Sequence, residues 1–166
     1  MMNNRCCLEC KHKFKKRINK DILLIKSYDN VNIEKYEEVN NDEFYIYLVL
    51  NKKKYLFKLK NDYPFSAPEI LIKINNNYID YYEYIFDIYK FYKNNMKADD
   101  ITCSCPCCFN LLCDYNLNYK LIDFLGEIID YNKSIIQLSN KYFGKILLNK
   151  KSNLNDNINY YILSYL

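Results

Sequence analysis

The sequence predicts an α+β domain: an N-terminal helix, a four-stranded antiparallel meander, then a crossover helix and C-terminal helices packed on one face. Three observations carry that expectation. Apolar residues recur at helical spacing near the start of the chain and again beyond residue 120. Between residues 31 and 74 short segments rich in β-branched and aromatic residues alternate instead. Polar, asparagine-containing breaks separate those segments, so helix, strands and helices follow one another in blocks.

Taken in order, Phe14, Ile18, Ile22 and Ile25 predict a helix from His12 to Ser27, and Asp29-Asn30 breaks it. Val31 to Glu34 alternates as a first strand. Phe44 to Leu50, nearly all apolar, reads as a central strand, and Asn51 to Lys54 as a polar hairpin turn. In Tyr55 to Lys60, Tyr55, Phe57 and Leu59 share one face, with Lys58 and Lys60 on the other. Tyr63-Pro64-Phe65-Ser66-Ala67-Pro68 holds two of the three prolines. Proline fixes φ and lacks a donor, so this run is a rigid, non-helical corner. Glu69 to Ile74 then makes a fourth strand, with Ile70, Ile72 and Ile74 on one face.

Asn75 to Tyr92 is rich in tyrosine and predicts a short helix with Ile79, Tyr82, Phe86 and Tyr89 inward. Met96 to Asp114 is irregular and carries five cysteines. Leu121, Phe124, Leu125 and Ile128 mark an amphipathic helix; Ile135, Leu138, Tyr142 and Ile146 mark another. Ser152 to Asp156 is a break, and Asn157 to Leu166 a short closing helix. No linker or repeat divides the chain, so residues 1–166 read as one domain.

Composition narrows the function. At 166 residues, half of them apolar, the chain can bury one core. Asparagine, lysine, isoleucine and tyrosine are abundant and glycine occurs twice, a bias that matches an AT-rich genome, so runs of Asn and Lys count for little. Met1 to Cys7 has no apolar core region of the kind a secretory signal needs, and no stretch approaches membrane-spanning length. The expected setting is cytoplasmic, with no membrane partner. Eight cysteines in a reducing compartment point to metal or thiol chemistry.

Net charge is +4, with the positive excess concentrated at Lys11, Lys13, Lys15, Lys16, Arg17 and Lys20. That cluster reads as a solvated helical face or as a docking face for an acidic protein. Nucleic acid is disfavoured, because no basic patch recurs with interleaved aromatics. Cys7-Leu8-Glu9-Cys10 and Cys105-Pro106-Cys107-Cys108 each contain a C-x-x-C pair, a spacing that presents two thiolates to one tetrahedral ion. The expected structural zinc set is Cys7, Cys10, Cys105 and Cys108, with Cys6, Cys107, Cys113 or His12 as substitutes. The alternative is a cluster of reduced thiols.

Several of these strings resemble the ubiquitin-conjugating enzyme family. Lys16-Arg17-Ile18-Asn19-Lys20-Asp21 is similar to that family's basic first helix, which docks on the activating enzyme. Tyr63-Pro64-Phe65 with Pro68 is similar to the loop after its third strand, where Phe65 would belong to the surface shared by ubiquitin ligases. Lys93-Asn94-Asn95, followed eight residues later by Cys103, keeps the family's distance from its His-Pro-Asn triplet to its nucleophile. Tyr115 to Tyr119 lies where the family carries Trp-Ser-Pro, and Leu121 to Ile128 follows as the crossover helix. The resemblance spans most of residues 12 to 130. It requires two insertions, 75–92 and 104–114, beyond a cysteine-containing segment at 1–11. His and Pro of the triplet are replaced by Lys93 and Asn94. For the family's acidic residue near the incoming lysine only Asp130 offers itself.

The resemblance implies that Cys103 accepts ubiquitin or a ubiquitin-like modifier as a thioester and passes it to a lysine amine, with Asn95 as amide donor to the oxyanion. Its partners would be the modifier, an activating enzyme and a ubiquitin ligase, met through Lys16, Arg17, Lys20 and Phe65. It also implies that residues 1–11 lie beside the loop after the nucleophile, so that one zinc ion would join both cysteine pairs. The alternative is a catalytically inactive relative, a zinc-stabilised interaction module in which Cys103 serves structure.

Overall fold

The computed structural model describes residues 4–40, 42–96, 110–113 and 115–149, with side chains described between Lys13 and Gly144. Its elements are α1 (Asn4–Lys26), β1 (Val31–Asn40), β2 (Glu43–Leu50), β3 (Lys53–Lys60), β4 (Glu69–Ile74), β5 (Asn77–Asp80), α2 (Tyr81–Asn95) and α3 (Leu121–Asn149). The five strands form one antiparallel sheet in chain order. An N-terminal helix, an antiparallel sheet and following helices are therefore as expected of an α+β fold; the strand count is five, not four.

Cross-strand register explains which face is buried. Ile46 lies opposite Phe57, which lies opposite Ile70; Leu48, Tyr55 and Ile72 form the next row. All six are almost fully buried. Because side chains alternate along a strand, this register puts one apolar face under the helices. Ile18, Ile22 and Ile25 come down from α1, Tyr81, Ile85 and Tyr92 from α2, and Leu121, Phe124, Leu125 and Ile128 from α3. Each aliphatic side chain so buried contributes roughly 1.5–3 kcal/mol. Helix α1 packs on β1, α2 on β4 and β5, and α3 touches both helices. The opposite face carries Tyr45, Tyr47 and Tyr78 in edge-to-face contact, with Lys35 and Lys58 over the rings.

The sequence-based boundaries shift in four places. Helix α1 begins eight residues before His12 and takes in most of the cysteine-containing segment 1–11; no Gly or Pro interrupts residues 4–26, so the helix continues without an apolar face to require it. Strand β1 runs on to Asn40 past two bulges, after Ile33 and after Glu38.

The extra strand β5 arises from Asn75 and Asn76, both at positive φ (47° and 69°), in a two-residue turn of the kind that suits the twist of a hairpin. Asp80 then caps α2, its carboxylate accepting from the amides of Tyr82 and Glu83 at 2.8 and 2.9 Å. Tyr82 and Tyr89 are inward as expected, whereas Ile79 and Phe86 are exposed. Finally, the two predicted helices after residue 120 are one, α3, since nothing between Ile128 and Ile135 breaks the helical backbone. The closing helix predicted at 157–166 lies outside the described residues.

Candidate functional site

Two polar joints fix the end of the molecule where α1, the β3–β4 corner and the segment leading into α3 meet. The first starts from a local pair on α1. Arg17 and Asp21, four residues apart, share a helix face, and Arg17 Nε donates to Asp21 Oδ2 at 3.3 Å. Asp21 is 1% exposed, so its carboxylate needs more than one partner. Tyr63, from the corner, donates its hydroxyl to the same oxygen at 2.6 Å. Arg17 Nη2 also donates to the carbonyl of Tyr119 at 3.1 Å. Burial works against the guanidinium charge, but Asp21 and Tyr63 outweigh it and hold the Arg17 pKa above its usual value. Burial, reinforced by the hydrogen bond to Asp21, pushes the Tyr63 phenol well up. The Tyr63–Pro64 peptide bond is cis.

The same joint clamps two loops together. Tyr115 donates its hydroxyl to the carbonyl of Pro64 at 2.5 Å, and its ring lies against Tyr119 and Phe124. One residue beyond Pro64 stands Phe65, 75% exposed; two beyond Tyr115 stands Leu117, 49% exposed. An aromatic ring on a tight turn, with its amide donating to the Asp62 carbonyl, and a leucine inside an Asx turn, where Asn116 Oδ1 accepts from Asn118, have no core to reach. They stand on loops joined by the Tyr115–Pro64 bond. Lys16 and Lys20 are exposed on α1, flanking Arg17 in sequence. Of the expected docking residues, Phe65, Lys16 and Lys20 are thus presented outward. Arg17 is largely occupied within the fold. Leu117 entered the sequence reading only within the Tyr115 to Tyr119 string; its own signal was a lone apolar residue in the polar run Asn116-Leu117-Asn118.

The second joint centres on Glu127 of α3. Its Oε1 accepts the backbone amide of Leu111 at 2.8 Å and the hydroxyl of Tyr131 at 3.3 Å, and its Oε2 accepts the hydroxyl of Tyr82 at 2.6 Å. The two tyrosines are pushed well above their ordinary range, first by burial and then by this carboxylate. Asn110–Cys113, the described end of the cysteine-rich segment, is thereby tied to α2 and α3. An open groove of about 720 Å³ runs beside it, lined by Leu111, Tyr119, Ile122, Gly126 and Asp130 among others. Asp130 is exposed and pairs with Lys133 at 3.4 Å.

Asn95 occupies the last turn of α2, where its Nδ2 donates to the carbonyl of Phe91 at 2.7 Å. Lys93-Asn94-Asn95 is therefore helical, not an extended triplet. One amide hydrogen is engaged and the second is available to another acceptor. Cys7 and Cys10 sit one turn apart on the backbone of α1, so that pair is carried by a helix and not by a knuckle turn. Cys103, Cys105, Cys107 and Cys108 lie outside the described residues, as do the side chains of Cys6, Cys7, Cys10 and His12. Cys113 is exposed with a free thiol. Among the described residues no group of three or more His, Cys, Asp or Glu is arranged to hold a metal ion. No helix among them is long and apolar enough to cross a membrane. Comparison with protein-family models, with curated proteins and with solved structures finds no match for this chain.

Proposed function

We propose that the chain is a divergent ubiquitin-conjugating protein that carries ubiquitin or a related modifier on Cys103 and meets its partners at the Phe65–Leu117 edge. The observation that supports this reading is the joined pair of loops: a Tyr-Pro-Phe corner after the third strand and a second loop ahead of α3 are hydrogen-bonded to one another, and each carries an exposed apolar side chain. The helix-first meander and the exposed Lys16 and Lys20 agree with it. In the reaction, the Cys103 thiolate attacks the thioester carbonyl of modifier-loaded activating enzyme. A new C–S bond forms as the old one breaks, and the activating enzyme's thiolate leaves and takes up a proton. A lysine amine then attacks the same carbonyl, expels the Cys103 thiolate and gives up a proton, leaving an isopeptide bond. The unengaged N–H of Asn95 would donate to the oxyanion, a contact typically worth roughly 3 kcal/mol in such sites. A zinc ion on Cys7, Cys10, Cys105 and Cys108 would tie α1 to the cysteine-rich segment.

Asn95 also favours a second reading. An amide already engaged by its own helix is less free to serve an oxyanion, as in an inactive relative that keeps only the docking edge. Incubation with activating enzyme, ATP and ubiquitin, followed by a non-reducing gel, separates the two. The conjugating reading predicts a thiol-sensitive adduct that is lost in Cys103→Ala and retained in Cys113→Ala. No adduct with any modifier leaves the interaction module. An adduct that depends on Cys108 would move the nucleophile there. Metal analysis should return about one zinc per chain, since four thiolates fill one tetrahedral site; metal-free protein removes the zinc proposal.

A further inference from the structure

We propose that the open groove along α3 docks a basic, extended segment of a partner protein, with its arginine or lysine side chains met by Asp123, Glu127 and Asp130 and by the rings of Tyr28 and Tyr119. The groove holds about 720 Å³, within the roughly 300–1,000 Å³ of sites that take several ligand groups at once. A single ion does not fill it, and among the described residues no three carboxylates converge as metal ligands would.

The helical repeat gathers the charge. Asp123, Glu127 and Asp130 follow at i, i+4 and i+7 and share one face of α3. Among the described residues that line the groove none is a lysine, arginine or histidine, although the chain as a whole carries a net charge of +4. Like charges four residues apart on a helix repel one another. Glu127 is held by neutral donors that leave its charge in place. Asp123 engages Oδ2 on the amide of Lys120 at 2.7 Å and has Oδ1 to offer. Asp130 has Lys133 at 3.4 Å, but both side chains are mostly in water, and such a pair yields to a better-placed cation. The complement of this surface is positive charge, and a nucleic acid or an anionic lipid carries the wrong sign.

The walls and floor narrow the choice further. Tyr28, 43% exposed where α1 gives way to β1, and Tyr119, just ahead of α3, supply aromatic surface that attracts cations. A guanidinium is planar, stacks on rings and bridges carboxylates in bidentate fashion, so arginine fits better than lysine. Gly126, one of two glycines in the chain, lines the groove from inside α3. Glycine in a helix interior is less stable than alanine, and a Cβ at this position would meet nothing within 4 Å. Packing among the described residues does not call for it, whereas a larger side chain would take up the space of the groove.

The test follows the fluorescence anisotropy of short labelled peptides carrying paired arginines, paired lysines or paired glutamates, mixed with the full chain. The arginine peptide should bind saturably, the lysine peptide several-fold more weakly, and the glutamate peptide not at all. Asp123→Asn combined with Asp130→Asn should weaken the arginine peptide about tenfold through lost charge-assisted bonds, with little change in melting temperature. Tyr28→Ala should weaken it about threefold. Gly126→Met should abolish binding yet melt at or above the parent temperature, since methionine is the better helix former. Undiminished binding in the double Asn variant, or equal binding of the glutamate peptide, would remove the charge complementarity and end the proposal. Undiminished binding in Gly126→Met would place the peptide elsewhere and end it too. A dimer of the parent chain that the arginine peptide dissolves would assign the groove to a second copy and overturn the partner. Should Gly126→Met not fold, the double Asn variant and Tyr28→Ala decide. None of these measurements needs Cys103, an activating enzyme or a modifier, so the groove and the conjugating reading stand or fall separately.

Discussion

Two carboxylates, Asp21 and Glu127, organise the same end of the molecule in opposite ways. Asp21 is sealed from solvent and answered by a guanidinium, with Tyr63 as second donor. Glu127 is half-buried at an open groove and, among the described residues, answered by neutral donors. The first arrangement resists removal because a charge would be left behind. The second fixes direction, because three donors from separate elements have one acceptor to share. The Asp21 joint ties α1 to the β3–β4 corner and to Tyr119, and the Glu127 joint ties Leu111 to α2 and α3. On the proposed function these would be the recognition half and the reactive half.

The contrast predicts a ranked set of effects. Asp21→Ala should be the most damaging, costing about 3 kcal/mol in chemical unfolding, because it strands Arg17 and leaves the Tyr63 hydroxyl without its acceptor. This sits at the low end for a buried pair, since Arg17 retains solvent contact. An Asp21→Ala protein as stable as the parent would dissolve the distinction between the joints.

Alkaline titration sharpens it. Tyr55, buried and accepting from Asn132 Nδ2 at 3.1 Å, is pushed up to about 12, burial being the largest cause. Its folded pKa lies above the unfolded value of about 10, so its contribution is intact below pH 10 and is lost as pH rises toward 12. Tyr63, Tyr82 and Tyr131 shift in the same direction, so the joints give way in the same sense. Stability measured against pH should be flat with respect to these tyrosines up to about 10 and then fall, on the order of 2 kcal/mol for Tyr55 alone. Tyr55→Phe should flatten part of that fall.

Glu127→Ala should cost about 2 kcal/mol, less than Asp21→Ala, because its orphaned donors can turn to water in the groove. Smaller still is the relief available at the β2–β3 turn, where Lys52 is held at a positive φ of 67°. Lys52→Gly should raise stability by about 1 kcal/mol, read from the shift in denaturation midpoint. At the bottom, breaking the exposed Lys133–Asp130 pair with Lys133→Ala should leave the midpoint unchanged.

The two joints also differ in how far the sequence disclosed them. Arg17 and Asp21 lie four apart in one string, and the Tyr-Pro-Phe corner announces itself by its prolines, so most of the first joint was legible locally. Tyr115 and Leu117 were legible only as pattern. Less of the Glu127 joint is local: Tyr131 lies four residues along the same helix, but Leu111 and Tyr82 come from 16 and 45 residues away, and only the tertiary fold brings them in.

The missed strand has a different cause. Asn75-Asn76 was set aside with the other asparagine runs as compositional bias, although asparagine is the residue other than glycine that most readily takes positive φ. Discounting the bias also discarded the turn. The join between the two predicted helices failed for want of a breaker: residues 129–134 hold no Pro or Gly, and helical backbone runs through them. The proposed reactive residues rested on the family resemblance, through the distance from Asn95 to Cys103, and the cysteines between 103 and 108 lie outside the described residues.

The most direct test is to locate the acyl bond itself. After loading with activating enzyme, ATP and ubiquitin, Cys103→Ser should trap a thiol-resistant, alkali-labile oxyester that maps to residue 103, while Cys108→Ser should still form a thiol-sensitive thioester. An adduct that is unaffected by replacing Cys103, or the absence of any adduct across ubiquitin and its relatives, would contradict the assignment.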